Sequence, residues 1–170
     1  MPSSTDPKNI SPVIYTRHSI SALPAESFPT PVHGEVSWVT LLSTPQTPSS
    51  DMAAGLATLP PRTGHLCKHR HTQSEIYYIT TGKGIVFIDG KEYPVEKGSV
   101  VFIPGDAEHG IWNTEKNVLE WFYVFPTAGF GDVVYRFSSE EKEKEKEEGH
   151  LEAGGNEDEE RVQAKVKAKL

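Results

Sequence analysis

His65-Leu66-Cys67-Lys68-His69-Arg70-His71-Thr72-Gln73-Ser74-Glu75 carries two histidines one residue apart and then a carboxylate, and Pro104-Gly105-Asp106-Ala107-Glu108-His109 adds a third imidazole thirty-four residues beyond Glu75. A strand puts residues i and i+2 on one face about 6.6 Å apart. His69 and His71 therefore aim at a common point while Arg70 points away. Glu75, after the break at Thr72-Gln73-Ser74, brings its carboxylate in from the next strand, and His109 closes the set from a separate one. Four metal-capable side chains on strand-like segments make a mononuclear metal site the central expectation, with an exposed edge pair of histidines as its competitor.

The surroundings are β-favouring runs broken by turn residues. Val36 to Leu42 and Met52 to Leu59 precede the histidines, with a Pro/Ser-rich loop between them. Ile76 to Thr80, Ile85 to Ile88, Glu92 to Val95, Val100 to Ile103, His109 to Asn113 and Val118 to Phe125 follow. Asp89-Gly90 is a hairpin signal, since both residues tolerate the positive φ of a tight turn. Many short strands with Gly and Pro punctuation, and no amphipathic helix before residue 138, predict an all-β sandwich or small barrel. Asp132 to Phe137 is one more edge strand or an arm.

The 170 residues fit one domain by length, but only 36% are hydrophobic. Almost no core-forming residue follows Phe137, so the core is confined to roughly residues 30 to 137. Three parts result. Residues 1–33 hold Pro2, Pro7, Pro12, Pro24, Pro29 and Pro31 and read as a flexible, extended arm without helix. Residues 34–137 form the barrel. Residues 138–170 are a charged tail, disordered or partly helical: Glu141 meets Glu145 and Lys142 meets Lys146 at i,i+4, which disfavours a helix, and a second helical attempt runs from Glu157 to Lys169.

The tail's eleven acids and seven bases take −4 of the formal net charge of −7, leaving the body near −3. That balance, without a basic and aromatic stripe, argues against nucleic acid as a partner. Cys67 is the only cysteine, which excludes a disulfide scaffold, and no N-terminal apolar run suggests a secretory signal or membrane span. The chain reads as cytoplasmic, with peroxisomal import as the competing destination because Ala168-Lys169-Leu170 is a variant of the Ser-Lys-Leu address.

Gly64-His65-Leu66-Cys67-Lys68-His69-Arg70-His71-Thr72-Gln73-Ser74-Glu75, followed by Gly82, resembles the first signature of the cupin superfamily, and Gly98 to His109, followed by Asn113, resembles the second. The resemblance covers about residues 35 to 126. It implies a double-stranded β-helix, or jelly-roll barrel, with metal ligands at His69, His71, Glu75 and His109, a small-molecule substrate and a homodimer. Two departures concern turns: Gly64 is one residue closer to the first histidine than usual, and Asp106 stands where a glycine is expected, beside Gly105. Three imidazoles and a carboxylate suit one divalent transition metal ion. Fe(II) or Mn(II) is favoured, and Ni(II), Co(II) and Zn(II) are compatible.

Tyr77 and Ile79 share Glu75's parity, so Tyr77 and Glu75 are the catalytic candidates; core filling is the competing role for the tyrosine. Cys67 and His65 share the parity of His69 and are placed inward, as a small hydrophobe and as an orienting or core histidine. Asp106 and Glu108 flank the turn before His109, either solvated or as a base at the mouth. Trp38, Trp112, Trp121 and Tyr123 are candidate pocket walls. None of these residues is a diagnostic counter-charge for one substrate. The expected function is a metal-dependent oxygenase or lyase acting on a small oxygen-bearing metabolite. A non-catalytic small-molecule-binding cupin is the alternative, and an interaction protein acting through the tail is a third class. A single short domain makes oxalate chemistry the less expected branch.

Overall fold

Alternation of buried and outward side chains sets the architecture. The structure is a computed structural model and describes residues 11–141 and 143, so the readings made on residues 144–170 lie outside the described residues. The strands are β1 (Glu26–Ser27), β2 (Gly34–Glu35), β3 (Ser37–Leu42), β4 (Ala53–Leu59), β5 (His65–Arg70), β6 (Glu75–Thr81), β7 (Lys83–Ile88), β8 (Lys91–Glu96), β9 (Val100–Ile103), β10 (His109–Trp112), β11 (Leu119–Phe125) and β12 (Arg136–Phe137). One sheet has the order β1-β3-β4-β11-β6-β9; the other has β12-β5-β10-β7-β8, with β2 also on β5. The neighbours β4 and β11, or β5 and β10, are distant in sequence and antiparallel, which is the crossed-over connectivity of a jelly roll. Residues 138–141 and 143 are helical and belong to a separate unit. No helix among the described residues is long and apolar enough to cross a membrane.

Period two is clean on β11, where Leu119, Trp121, Tyr123 and Phe125 are buried, and on β6, where Glu75, Tyr77 and Ile79 are. Register then stacks these residues in rows. Leu119 faces Leu59, Trp121 lies between Ala57 and Ile79, and Tyr123 lies between Gly55 and Tyr77. The inner face therefore grades from aliphatic, through aromatic, to the carboxylate of Glu75. Opposite it, Ile111 pairs with Leu66 and Val86, and His109 pairs with His69 and Ile88. Leu59, Ile79, Val86, Ile111 and Leu119 are all 0% exposed. Each contributes about 1.5–3 kcal/mol by burial. The chemistry-bearing side chains occupy the other end.

Two expectations for the arm are corrected. A short helix, α1 (Arg17–Ser21), does form, because no proline falls between Pro12 and Pro24 and a capping box starts it: Thr16 Oγ1 accepts from Ser19 N at 3.2 Å, and Ser19 Oγ accepts from Thr16 N at 2.8 Å. The arm is also part of the barrel. Glu26 pairs with Trp38 and Ser27 with Ser37, which adds β1 to the edge of β3. Gly34 allows the arm to cross β5: its φ is +127°, and a Cβ there would collide with the carbonyl of His65.

Asn113 ties the strand ends opposite the histidines. It is 1% exposed; its side-chain amide donates to the carbonyls of Leu59 (3.2 Å), Pro60 (2.9 Å) and Asn117 (2.8 Å), and its Oδ1 accepts from Glu115 N at 3.0 Å. Asn113→Ala leaves those carbonyls without their donor, so stability is expected to fall by about 2–4 kcal/mol in urea denaturation. A loss below about 0.5 kcal/mol, the range of an ordinary surface substitution, would contradict this account of the joint.

Candidate metal centre

The antiparallel register of β5 on β10 sets His69 opposite His109. His71 follows directly after β5, and Glu75 opens β6. All four side chains are buried, at 0%, 1%, 1% and 3% exposure for His69, His71, His109 and Glu75. Their environment is apolar: Phe125 stands edge-on to His71 at 4.9 Å, and Tyr135 stacks on His69 at 4.6 Å.

Each imidazole is held by a short local hydrogen bond. His69 Nδ1 meets the Cys67 carbonyl at 2.8 Å, His71 Nδ1 the Gln73 carbonyl at 2.8 Å, and His109 Nδ1 the Ala107 carbonyl at 2.9 Å. A carbonyl only accepts, so each Nδ1 carries the proton and each Nε2 presents a lone pair. Those three Nε2 atoms and Glu75 Oε2 are buried without a hydrogen-bond partner. Glu75 Oε2 lies 3.4 Å from His71 Nε2 and 3.3 Å from His109 Nε2. A single orphaned buried polar atom costs about 1–3 kcal/mol, and four converging ones are what a cation resolves. The three imidazoles offer ligand atoms all within 4.8 Å of one another. The triad thus fits a divalent transition metal ion.

Burial, reinforced by the neighbouring His109, holds the pKa of His69 well below the ordinary histidine range despite the opposing Cys67 carbonyl. That keeps it neutral, as a ligand must be. The phenols of Tyr77, Tyr123 and Tyr135 are pushed upward, first by burial and next by the Glu75 carboxylate, so all three hold their protons.

A β-bulge corrects the parity argument for His65 and Cys67. Between His109 and Ile111, β10 advances two residues while β5 goes from His69 to Leu66, three. Leu66 and His69 consequently share the inner face, and His65 and Cys67, which parity with His69 had placed there, do not. His65 is half-buried, its Nδ1 on the Thr63 carbonyl at 2.8 Å and its ring 6.0 Å from Trp112. Cys67 is half-buried with Sγ 3.4 Å from the Val32 carbonyl, and burial raises its thiol pKa. Trp112 is not a pocket wall either. It alternates with the buried Ile111 and packs edge-on against Phe87 at 4.5 Å.

Asp106 proves to be a turn residue and not a base at the mouth. Its φ of +61° is the conformation for which the usual glycine would be chosen. Its carbonyl accepts from Arg70 Nη1 at 2.8 Å, and its carboxylate pairs with Arg136.

A cavity of about 160 Å³ opens beside the triad, with Glu75, Tyr77 and Tyr135 at the near end and Trp121, Tyr123 and Trp38 along its walls. Its hollow exists because β4 presents small residues, Ala57 among them; a Cβ on Gly55 would run into the hydroxyl end of Tyr123. Sequence reasoning missed Tyr135, although the alternation Val133, Tyr135, Phe137 was a signal for it. It also missed Glu26 and Phe28, which line the same cavity from the arm and left no periodic trace.

Comparison with known proteins agrees with this architecture. A family model described as a cupin domain matches residues 55–125. Dimethylsulfoniopropionate lyase DddW of Ruegeria pomeroyi is 39% identical over 128 residues, covering 72% of this chain and 82% of that protein. An oxalate-binding protein of Thermotoga maritima is 34% identical over 92 residues, covering 54% of this chain and 75% of its own length. Among solved structures, the polyketide cyclase RemF from Streptomyces resistomycificus superposes with a TM-score of 0.61 at 19% identity, over 74% of this chain and 86% of that one, a likeness of fold. With its paired signatures, crossed-over sheets and inward histidine triad, the chain belongs to the cupin superfamily.

Proposed function

We propose that the protein is a metal-dependent lyase that splits a small sulfonium-bearing carboxylate, dimethylsulfoniopropionate or a near analogue, with His69, His71, His109 and Glu75 as ligands of one Fe(II) or Mn(II) ion. The observation that carries the metal role is the set of four orphaned, converging donor atoms. The 39% identity with a lyase named for that substrate supports the reaction class.

A bound divalent ion supplies positive charge that orients and polarises a substrate carboxylate and favours proton loss from an adjacent phenol. The chain's own residues do the rest. Tyr77, buried beside Glu75, is the group within the cavity that accepts the proton from the carbon next to the carboxylate. That C–H pair becomes the C=C bond, and the neighbouring C–S pair departs on sulfur, giving dimethyl sulfide and acrylate. No oxidant enters the balance. Trp121 Nε1, a buried donor without a partner in this cavity wall, is the N–H a substrate oxygen would meet. The apolar walls exclude water around the departing neutral sulfide.

The similarity to an oxalate-binding protein favours a second reading, capture of a small acid without turnover. Headspace gas chromatography of metal-loaded protein separates the readings. Dimethyl sulfide is expected under air and under argon alike, in proportion to metal occupancy, and is expected to vanish with a chelator. A strict requirement for dioxygen would point to the oxygenase branch, and a ligand-induced rise in melting temperature without any conversion to the storage branch. His109→Ala should abolish metal retention. Tyr77→Phe should retain the metal while lowering kcat/KM by about 10²–10⁴-fold, the usual scale of a lost proton-transfer group.

We also infer a homodimer. The outer face of the first sheet ends at edge strand β9 with Val100 and Phe102, 69% and 63% exposed, beside Ile76 and Tyr78 on β6, 45% and 44% exposed. An unpaired edge joined to an apolar patch is the surface a second copy covers. Light scattering coupled to size exclusion is expected to give twice the chain mass, and Phe102→Asp to give the monomer. A monomeric wild type would refute the assembly.

A further inference from the structure

The far end of the cavity carries a second carboxylate, contributed by the arm. Across the first sheet the inner face runs Tyr77, Tyr123, Gly55 and Thr40 on the adjacent strands β6, β11, β4 and β3. β1 lies beyond β3, with Glu26 in register with Trp38. Thr40 Oγ1 donates to Glu26 Oε1 at 2.6 Å, and both residues line the cavity that Glu75 and Tyr77 line at its other end. Glu26 itself is exposed, at the mouth. Among the described residues no basic side chain pairs with it. The adjoining walls are aromatic: Trp38 and Tyr123 line the cavity, and Phe28 stands edge-on to Trp38 at 5.0 Å.

A carboxylate set among aromatic faces selects a particular cation. A primary ammonium is strongly hydrated and loses that water on entering an apolar cage. An onium group clothed in methyls loses little, and both the ring faces and the anion attract it. At the opposite end the imidazole triad suits a ligand carboxylate through its ion. We propose that Glu26, held by Thr40, is the specificity-determining counter-charge for the methylated onium end of a zwitterionic substrate, with Trp38 and Tyr123 as its aromatic walls. This rests on the lyase reading only for the identity of that onium as a sulfonium.

The test compares two ligands of equal shape that differ in charge, 3-(trimethylammonio)propionate and 4,4-dimethylpentanoate, titrated calorimetrically into the full-length, metal-loaded chain. Wild type is expected to bind the zwitterion, with its onium end, about tenfold more tightly than the tert-butyl carboxylate, and Glu26→Gln to reduce that preference below about threefold, chiefly by weakening the zwitterion. Glu26→Asp keeps the charge and should retain part of the preference. Equal binding of the pair by wild type overturns the proposal, as does an undiminished preference in Glu26→Gln. So does equal loss of preference in the Asp and Gln variants, which would assign the side chain to pinning β1 on β3. The readout needs no turnover. A preserved preference without dimethyl sulfide release therefore sinks the lyase reading alone, and release without preference sinks this inference alone.

Discussion

The three Nδ1–H to carbonyl hydrogen bonds are the constraint on which the site depends. Without them an imidazole buried at this depth would be free to turn its N–H toward the triad, and that tautomer presents no lone pair to a cation. Each bond spans only two residues, so it is written into the local chain, but it acts usefully only because β5 and β10 meet in one register. A slip of one residue would send His109 to the opposite face of the sheet. The bulge in β5 is the device that lets Leu66 and His69 both point inward: it places an aliphatic side chain under the cavity and an imidazole at the metal position on one short strand.

Holding four polar atoms in an apolar interior costs stability, and the opposite end of the sandwich offsets it. The fully buried Leu59, Ile79, Val86, Ile111 and Leu119, with the Asn113 joint beside them, form an apolar base at the end of the strands away from the histidines. The small residues of β4 do the reverse: Ala57 leaves part of the hollow open, and Gly55 makes space for the ring of Tyr123. The molecule separates its aliphatic core and its cluster of buried polar side chains along the strands and does not mix them across the sheets.

Much of this was legible because it is periodic. β6 reads correctly from Glu75 through Tyr77 to Ile79 since the strand is regular over that stretch, and the signature spacing implied the convergent histidine triad. His65 and Cys67 misled because the same period-two rule was carried through a bulge, which no local composition announces. Asp106 was ambiguous because aspartate suits both a mouth and a left-handed turn; its positive φ decides. α1 was missed because prolines were weighed by number and not by the gap between Pro12 and Pro24. Glu26 and Tyr135 enter the cavity through the pairing of β1 with β3 and the run leading into β12, contacts that depend on long-range register alone.

This division has a chemical consequence. The metal-end side chains lie on or next to β5, β6 and β10, whereas the groups proposed to discriminate among ligands come from β1, β3 and the approach to β12. On the proposed reading the first set would grip any small carboxylate and would say little about what else that molecule carries. Glu26 stands at the opposite end of the same hollow. A dianion such as a dicarboxylate would bring negative charge toward it, while a zwitterion would bring positive charge. On the reading proposed above, the same electrostatics would favour an onium-bearing acid and disfavour a dicarboxylic acid long enough to reach the mouth.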